Sequence, residues 1–527
     1  MNKSRQWVER PALLAHEIAA QVQRGEYSAV SCVEQMIARI EQFNGDLNAM
    51  VIDCFDQARL DAKRLDALQA EGKTAGPLHG VPISIKECFF VAGTDCTIGV
   101  DRFVGKPSSE DGPLVRRLRE AGAIVMCKTN IPQTMLWHES VNPVYGRTNN
   151  PWDTTRTPGG SSGGEAAMLA AGGSVLGLGN DLGGSLRVPA HFCGIFSLKP
   201  TNGLLPRNSS RGNMRGMEAM LAQPGPMGHC VDDLIRMFDV LIGDVHTVND
   251  LGQSPVRRQE VPADLGCADT NIKIGIIEGD GFFDASPAIR RSVREAGAAL
   301  EKLGVEVIPF EVPNAELMVK LYMGAMTADG GFQIRHVLKG GRVHKPFARL
   351  AKASGIPRIL RPCIAALLRM FGEQYQAQLV SSTGGLSAKW YWLLIDAMNR
   401  YRRQFTRDMQ KQNIDVLLSP CFALPAMLHD DGVDLIPAAS YSFLHNLVGG
   451  PAGMVPWSII GEREESDRER VRDRVVRKAI ATETGSAGLP VGVQVAALPW
   501  QEHLVLAVMR KLEKAIPQSP KEDRSEQ

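Results

Sequence analysis

Two short stretches set a serine hydroxyl beside paired glycines: GGSSGG at 159–164 and GGS at 183–185. Such a hydroxyl becomes a nucleophile when a base takes its proton, and the oxyanion that follows needs donors around it. Glycine supplies the positive φ and close backbone approach that donor loops need. The windows 159–163 and 160–164 match the Gly-x-Ser-x-Gly turn of the α/β-hydrolases in form only. That turn requires an apolar strand before it, and here the polar run NNPWDTTRTP precedes it. The nearest histidine downstream of Ser185 is His191, in VPAHFCG, whose neighbours read as core and the ring itself as structural. The other candidate base is Lys86, in GVPISIKE at 80–87. A lysine made neutral by burial can activate a serine, and Ser–Lys pairs recur on several folds. On these residues alone two readings stand: a serine–lysine hydrolase, or a lysine that caps a strand beside tight glycine turns.

Other chemistries find no residues to carry them. There is no His-Glu-x-x-His, no Cys/His cluster and no carboxylate spacing suited to a metal. No phosphate-binding GxxxxGK[ST] occurs, and GLGNDLGG at 177–184 fails the dinucleotide pattern GxGxxG by position. A formal net charge of +1 gives no reason to expect a nucleic-acid partner. The ten cysteines contain no C-x-x-C pair, which favours free thiols and a reducing, cytoplasmic compartment. The N-terminal MNKSRQWVERPALLAHEIAA sets charges where a signal peptide needs an apolar run, and no stretch is long and apolar enough to span a bilayer.

The elements that must hold these residues can be read from periodicity. SCVEQMIARIEQF at 31–43 sets Val33, Met36, Ile37 and Ile40 on one helical stripe, part of a helical layer over 11–70. GVPISIKECFFVAG alternates Val81, Ile83 and Ile85 against Pro82, Ser84 and Lys86, which predicts a strand with Lys86 on the Ser84 face. Residues 111–130 read as a helix, a stop at Gly122 and a buried strand over 123–129. The unit returns as a strand at 272–278, a helix at 286–304 capped by Ser286 with Pro287 in its first turn, and a strand at 305–310. Such alternation predicts an α/β fold, a sheet covered by helices. The turn-rich run 248–271 reads as a loop within one fold, and the charged stretch 461–478 and the tail 519–527 as solvated surface.

Longer blocks around the two serines carry a resemblance. GGSSGGEAAMLAAGGSVLGLGNDLGGSLRVPAHFCGIFSLKPT at 159–201 resembles the signature of the amidase signature family, with its two serines 24 positions apart. GVPISIKE resembles the family's lysine strand, and YSFLHNLVGGPAGMVP (441–456) and GLPVGVQVAALPWQEHLVL (488–506) its C-terminal blocks. The resemblance implies a large mixed central β-sheet covered by helices on both faces. It also implies one domain over 1–512 (helical layer 1–75, catalytic core 76–247, C-terminal sheet and helices 272–512), with a disordered tail over 513–527. Carried over position by position, it implies Ser185 as nucleophile, Ser161 as bridging serine behind a cis Gly160–Ser161 peptide, and Lys86 as base. The N–H groups of Leu182, Gly183, Gly184 and Ser185 would form an oxyanion hole, supported by Ser162, Asp181 and Arg187, with no cofactor and no metal.

Glu165 and the loop NDLGGS depart from the glutaminase subunits of tRNA-dependent amidotransferases toward fatty-acid amide hydrolases, while Asn180 departs from the Ser or Thr common there. A small-molecule amide, and among amides a fatty-acid amide, is the implied substrate. The alternatives are a glutaminase A-type subunit or a non-catalytic member of an assembly. The basic and apolar run 335–371, including Arg358 and Arg361, fits two readings: a peripheral membrane contact at the acyl entrance, or surface helices whose apolar faces pack on the core or on a partner subunit. The resemblance leaves room for a homodimer.

Overall fold

The computed structural model describes residues 7–243 apart from 213 and 215, residues 259–261, and residues 272–517. Eleven strands form one sheet: β1 (Met50–Asp53), β2 (Pro82–Lys86), β3 (Ile124–Thr129), β4 (Leu176–Asp181), β5 (Phe196–Lys199), β6 (Gln223–Gly228), β7 (Lys273–Ile276), β8 (Glu306–Pro309), β9 (Val416–Ser419), β10 (Ala452–Ile459) and β11 (Pro490–Ala497). Their spatial order is β1-β3-β2-β4-β6-β5-β10-β11-β9-β7-β8. The sheet is mixed. Strands β3, β2 and β4 run parallel, as do β9, β7 and β8, and the strands between them pair antiparallel.

Side chains alternate across a strand, so the sheet carries a core on each face. Val416 and Leu418 enter one apolar cluster and Leu417 the other, and Val455 and Met454 divide the same way. The first cluster takes the N-terminal helices, including Ala29–Leu47, where Val33, Met36, Ile37 and Ile40 are buried as the periodicity predicts. The second takes the Arg187–Cys193, Ala315–Met326 and Ser440–Val448 helices. The fold is thus the helix-covered mixed sheet expected.

The periodic segments hold locally. The Pro113–Glu120 helix ends before Gly122, whose φ of +91° turns the chain into β3. Pro287–Lys302 forms between β7 and β8, with Pro287 in its first turn; Ser286 flanks that helix, but its hydroxyl caps no amide. The last helix, Glu502–Ala515, runs past the expected boundary at 512. The tail 519–527 and the turn-rich residues 248–258 and 262–271 lie outside the described residues.

One segment differs from expectation, and another divides between its two readings. The charged stretch 461–478 is not only solvated surface: Arg474–Glu483 is a helix with Val475 buried, Arg468 pairs with buried Glu483 at 2.8 Å, and Lys478 reaches Asp434 at 2.7 Å. Within 335–371, Leu338 and Phe347 are buried, the latter stacked on Trp137 at 4.5 Å. Arg361 is only 2% exposed and donates to the carbonyls of Ala353, Ile356 and Val380. A basic residue in an amphipathic run serves headgroups or carbonyls equally well, and here the chain's own turn claims it. No helix among the described residues is long and apolar enough to cross a membrane.

Candidate functional site

Strand β2 is buried along its whole length, and its alternation puts Ser84 and Lys86 on one face. Lys86 Nζ lies 2.7 Å from Ser161 Oγ, 2.9 Å from Ser162 Oγ and 2.8 Å from Asn180 Oδ1. Burial pushes its pKa down to about 8, so the amine gives up its proton near neutral pH. Both serines come from the turn that opens the Gly163–Ala170 helix, and the Gly160–Ser161 peptide bond is cis. Glu165, on that helix, accepts hydrogen bonds from Ser84 of β2 and, at 2.6 Å, from Thr129 of β3. It bolts the serine-bearing helix to the lysine strand, and burial raises its pKa to about 7.

The second serine follows β4. Asp181 ends the strand and turns its carboxylate back on the loop, accepting from Gly184 N–H at 2.7 Å and Leu186 N–H at 3.2 Å. Arg187 grips the same carboxylate at 2.9 and 3.1 Å, and reaches Gln494 and Asn446, each at 2.6 Å. Asn446 Nδ2 also donates to Asp181 at 2.9 Å. Burial disfavours the Asp181 charge, but the Arg187 guanidinium and these hydrogen bonds outweigh it and hold the carboxyl well below the usual range. The loop tolerates no side chain at two points. At 184 the backbone has φ +102° and a Cβ would sit 2.7 Å from Ser442 Oγ; at 183 a Cβ would run into the Tyr322 hydroxyl.

This geometry corrects one expectation. Gly184 N–H is already held by Asp181 and is not free to meet an oxyanion. Among the described residues, the amides of Leu182, Gly183 and Ser185 donate to no protein group. Ser162 N–H donates to Ser185 O at 3.1 Å, tying the two serine turns together one residue from the Ser161 hydroxyl. Ser162, expected to order its neighbour, is itself a Lys86 contact. Asn180, Asn446, Gln494, His138 and Tyr322 were not singled out. Asn180 showed only as a departure from the family pattern, and Asn446 and Gln494 lie inside the C-terminal blocks without standing out there. His191 is structural, as read: Gly492 N–H donates to its Nδ1, its Nε2 meets Leu424 O, and burial lowers its pKa to about 4.

Ser185, Gly183 and Leu182 open onto a cavity of about 920 Å³ including its mouth. Met135, Leu136, Met323, Met326, Ile334 and Ile436 supply apolar wall, and among the described residues no charged side chain lines it. Lys86 and Ser161 are buried and do not line it. A lysine poised to be neutral, two serine turns joined by their backbones and unclaimed amides beside an apolar cavity can together support acyl transfer without a metal. Elsewhere His16, Cys230 and Asp233 approach one another. There the Asp233 carboxylate already caps the first helix, accepting from Ala15 and His16 N–H at 2.9 Å each.

The helix-covered mixed sheet with a buried lysine–serine cluster defines a hydrolase of amidase architecture. A family model described as Amidase matches residues 31–506. The chain is 33% identical over 518 residues to fatty-acid amide hydrolase 1 of Sus scrofa, covering 96% of this chain and 86% of that one. It is 32% identical over 534 residues to fatty acid amide hydrolase 1 of Caenorhabditis elegans, covering 97% and 89%. A solved fatty acid amide hydrolase shares the fold with a TM-score of 0.81 over 96% of this chain and 85% of that one, at 24% identity. The chain belongs to the amidase signature family and is an enzyme that hydrolyses carbon–nitrogen amide bonds.

Proposed function

We propose that the substrate is a fatty-acid amide and that hydrolysis passes through an acyl-enzyme on Ser185. In this reading neutral Lys86 takes the Ser161 proton while Ser161 takes that of Ser185, and Ser185 Oγ adds to the amide carbonyl carbon. The N–H groups of Leu182, Gly183 and Ser185 receive the oxyanion. As the tetrahedral adduct collapses, the C–N bond breaks and the leaving nitrogen receives the proton back through Ser161. Water then enters, gives its proton to the same relay, and releases the carboxylic acid and free Ser185. The observation that carries this reading is the buried Lys86–Ser161 contact of 2.7 Å.

The acyl preference is supported by the cavity. Its wall is mostly apolar, and among the described residues it offers no counter-charge for the ammonium and carboxylate of free glutamine. Around the 335–371 segment, Ile359 is 84% exposed, Met370 83% and Trp392 75%, with Arg358 stacked on Trp390 at 4.7 Å. Exposed bulk beside basic charge suits an interfacial contact that would deliver lipid amides. The test is mass spectrometry after a fluorophosphonate probe, with turnover measured on amides of graded acyl length. Label on Ser185 and kcat/KM rising with chain length are expected; label on Ser161 or Cys193 with Ser185 clean, or a preference for acetyl over long-chain amides, would overturn it.

A further inference from the structure

An amide donor points where its peptide plane points. In a trans peptide the carbonyl of one residue and the N–H of the next project to opposite sides, so whatever grips the carbonyl aims the N–H. From Leu182 to Ser185 every carbonyl is gripped. Val188 N–H donates to Gly184 O at 2.7 Å and Ser162 N–H to Ser185 O at 3.1 Å. His138 Nε2 meets Gly183 O at 2.8 Å; a carbonyl only accepts, so that nitrogen carries the hydrogen. The Tyr322 hydroxyl donates to Leu182 O at 3.2 Å.

Tyr322 differs from the other three in where it comes from. It sits on the Ala315–Met326 helix, whose Met323 and Met326 form cavity wall. Its ring is stacked face to face on Phe443, with centroids 4.0 Å apart and planes 8° apart, which leaves the hydroxyl little freedom. Burial raises the phenol pKa well above its usual value, so the group stays a donor. The fit is mutual: any side chain at 183 would collide with that hydroxyl. The peptide it holds is the one whose N–H belongs to Gly183.

We propose that Tyr322 is a positioning residue for amide hydrolysis: by donating to Leu182 O it turns the Gly183 N–H toward the substrate's oxyanion. The inference rests on Ser185 being the nucleophile. It places the aim of an oxyanion donor and the wall that receives the acyl chain on one helix.

Tyr322→Phe keeps the ring and its stack and removes the donor. Losing an oxyanion-hole donor outright costs 10²–10³-fold in kcat; losing its aim is expected to cost on the order of 10- to 100-fold. KM for a long-chain amide is expected to stay within about twofold. A trifluoromethyl ketone of the same chain, which forms an oxyanion on the enzyme, should lose affinity by the same factor as kcat/KM. The matching long-chain alcohol, which has no carbonyl, should bind unchanged. Incorporating 4-aminophenylalanine at 322 returns an N–H donor to the same place and should recover most of the loss; it also serves as the readout if Tyr322→Phe folds poorly. Wild-type kcat in Tyr322→Phe, equal weakening of ketone and alcohol, or no recovery with the amine would each overturn the proposal. Ser185→Ala separates the two readings. If it still turns over, the Ser185 reading has failed; if it is inactive while Tyr322→Phe matches wild type, Tyr322 alone has.

Discussion

Lys86 is held where its charge is costly, and that cost has two measurable faces. In the proposed relay this lysine must be neutral, so kcat/KM is expected to rise with pH through about 8 as the buried amine deprotonates. Lys86→Ala should lower kcat/KM by about 10²–10⁴-fold at pH 7, with partial recovery at high pH where hydroxide replaces the base; a wild-type pH–rate profile in this variant would count against the role. The unfolded chain keeps this proton up to the ordinary 10.5, while the folded enzyme releases it near 8. Between those values the unfolded state binds more protons, so this group makes the fold more stable as pH climbs. A depression of that size corresponds to roughly 3 kcal/mol. Lys86→Met is therefore expected to stabilise the protein at pH 7 while inactivating it, and to show less gain toward pH 10, read from urea unfolding midpoints. The lysine was legible because a charge interrupts an apolar alternation. Asn180 and Tyr322 were not, because their meaning lies in a lysine and a carbonyl brought to them from distant parts of the chain.

The loop 182–186 owes its shape to the ion pair behind it more than to its own glycines. Asp181 holds two loop amides, and Arg187 holds Asp181 from the next helix with both residues fully buried. Breaking a buried pair from one side leaves an uncompensated charge, at about 3–5 kcal/mol. Arg187→Met should lower stability on that scale and activity with it. The double variant Asp181→Asn, Arg187→Met should recover part of the stability but not the activity, since a neutral amide no longer accepts equally from Gly184 and Leu186. Paired urea titrations and assays would show this, and activity in the double variant would refute the loop-holding role. At this scale periodicity served well for β2, β3 and the Pro287–Lys302 helix, where side-chain patterns answer to one buried face. It served less well for 335–371 and 461–478. There short amphipathic helices and charges could face water or the chain itself, and only the fold shows that Arg361 and Lys478 turn inward.

At the scale of the whole molecule, the helices between 332 and 393 carry exposed Phe332, Ile359, Met370, Phe371 and Trp392, with Arg358 stacked on Trp390, while Arg361 supports its own turn from within. Acidic charge is best introduced at the exposed positions. Ile359→Glu with Met370→Glu is expected to reduce pelleting with anionic vesicles at low salt and to slow long-chain hydrolysis, leaving short-chain amides untouched; vesicle sedimentation beside the two assays would read it, and unchanged pelleting would remove the membrane contact. The sheet's two outer strands bear on self-association. Strand β1 is four residues long with an irregular register between Met50 and Ile52, and β8 ends in Pro309 and carries exposed Glu306. A short, kinked border and one that lacks an amide at its end are poor templates for another chain's ladder. The eleven strands therefore terminate rather than continue. A second copy is disfavoured from extending the sheet, and partly folded chains crowding during synthesis would find little at either border on which to begin a shared one.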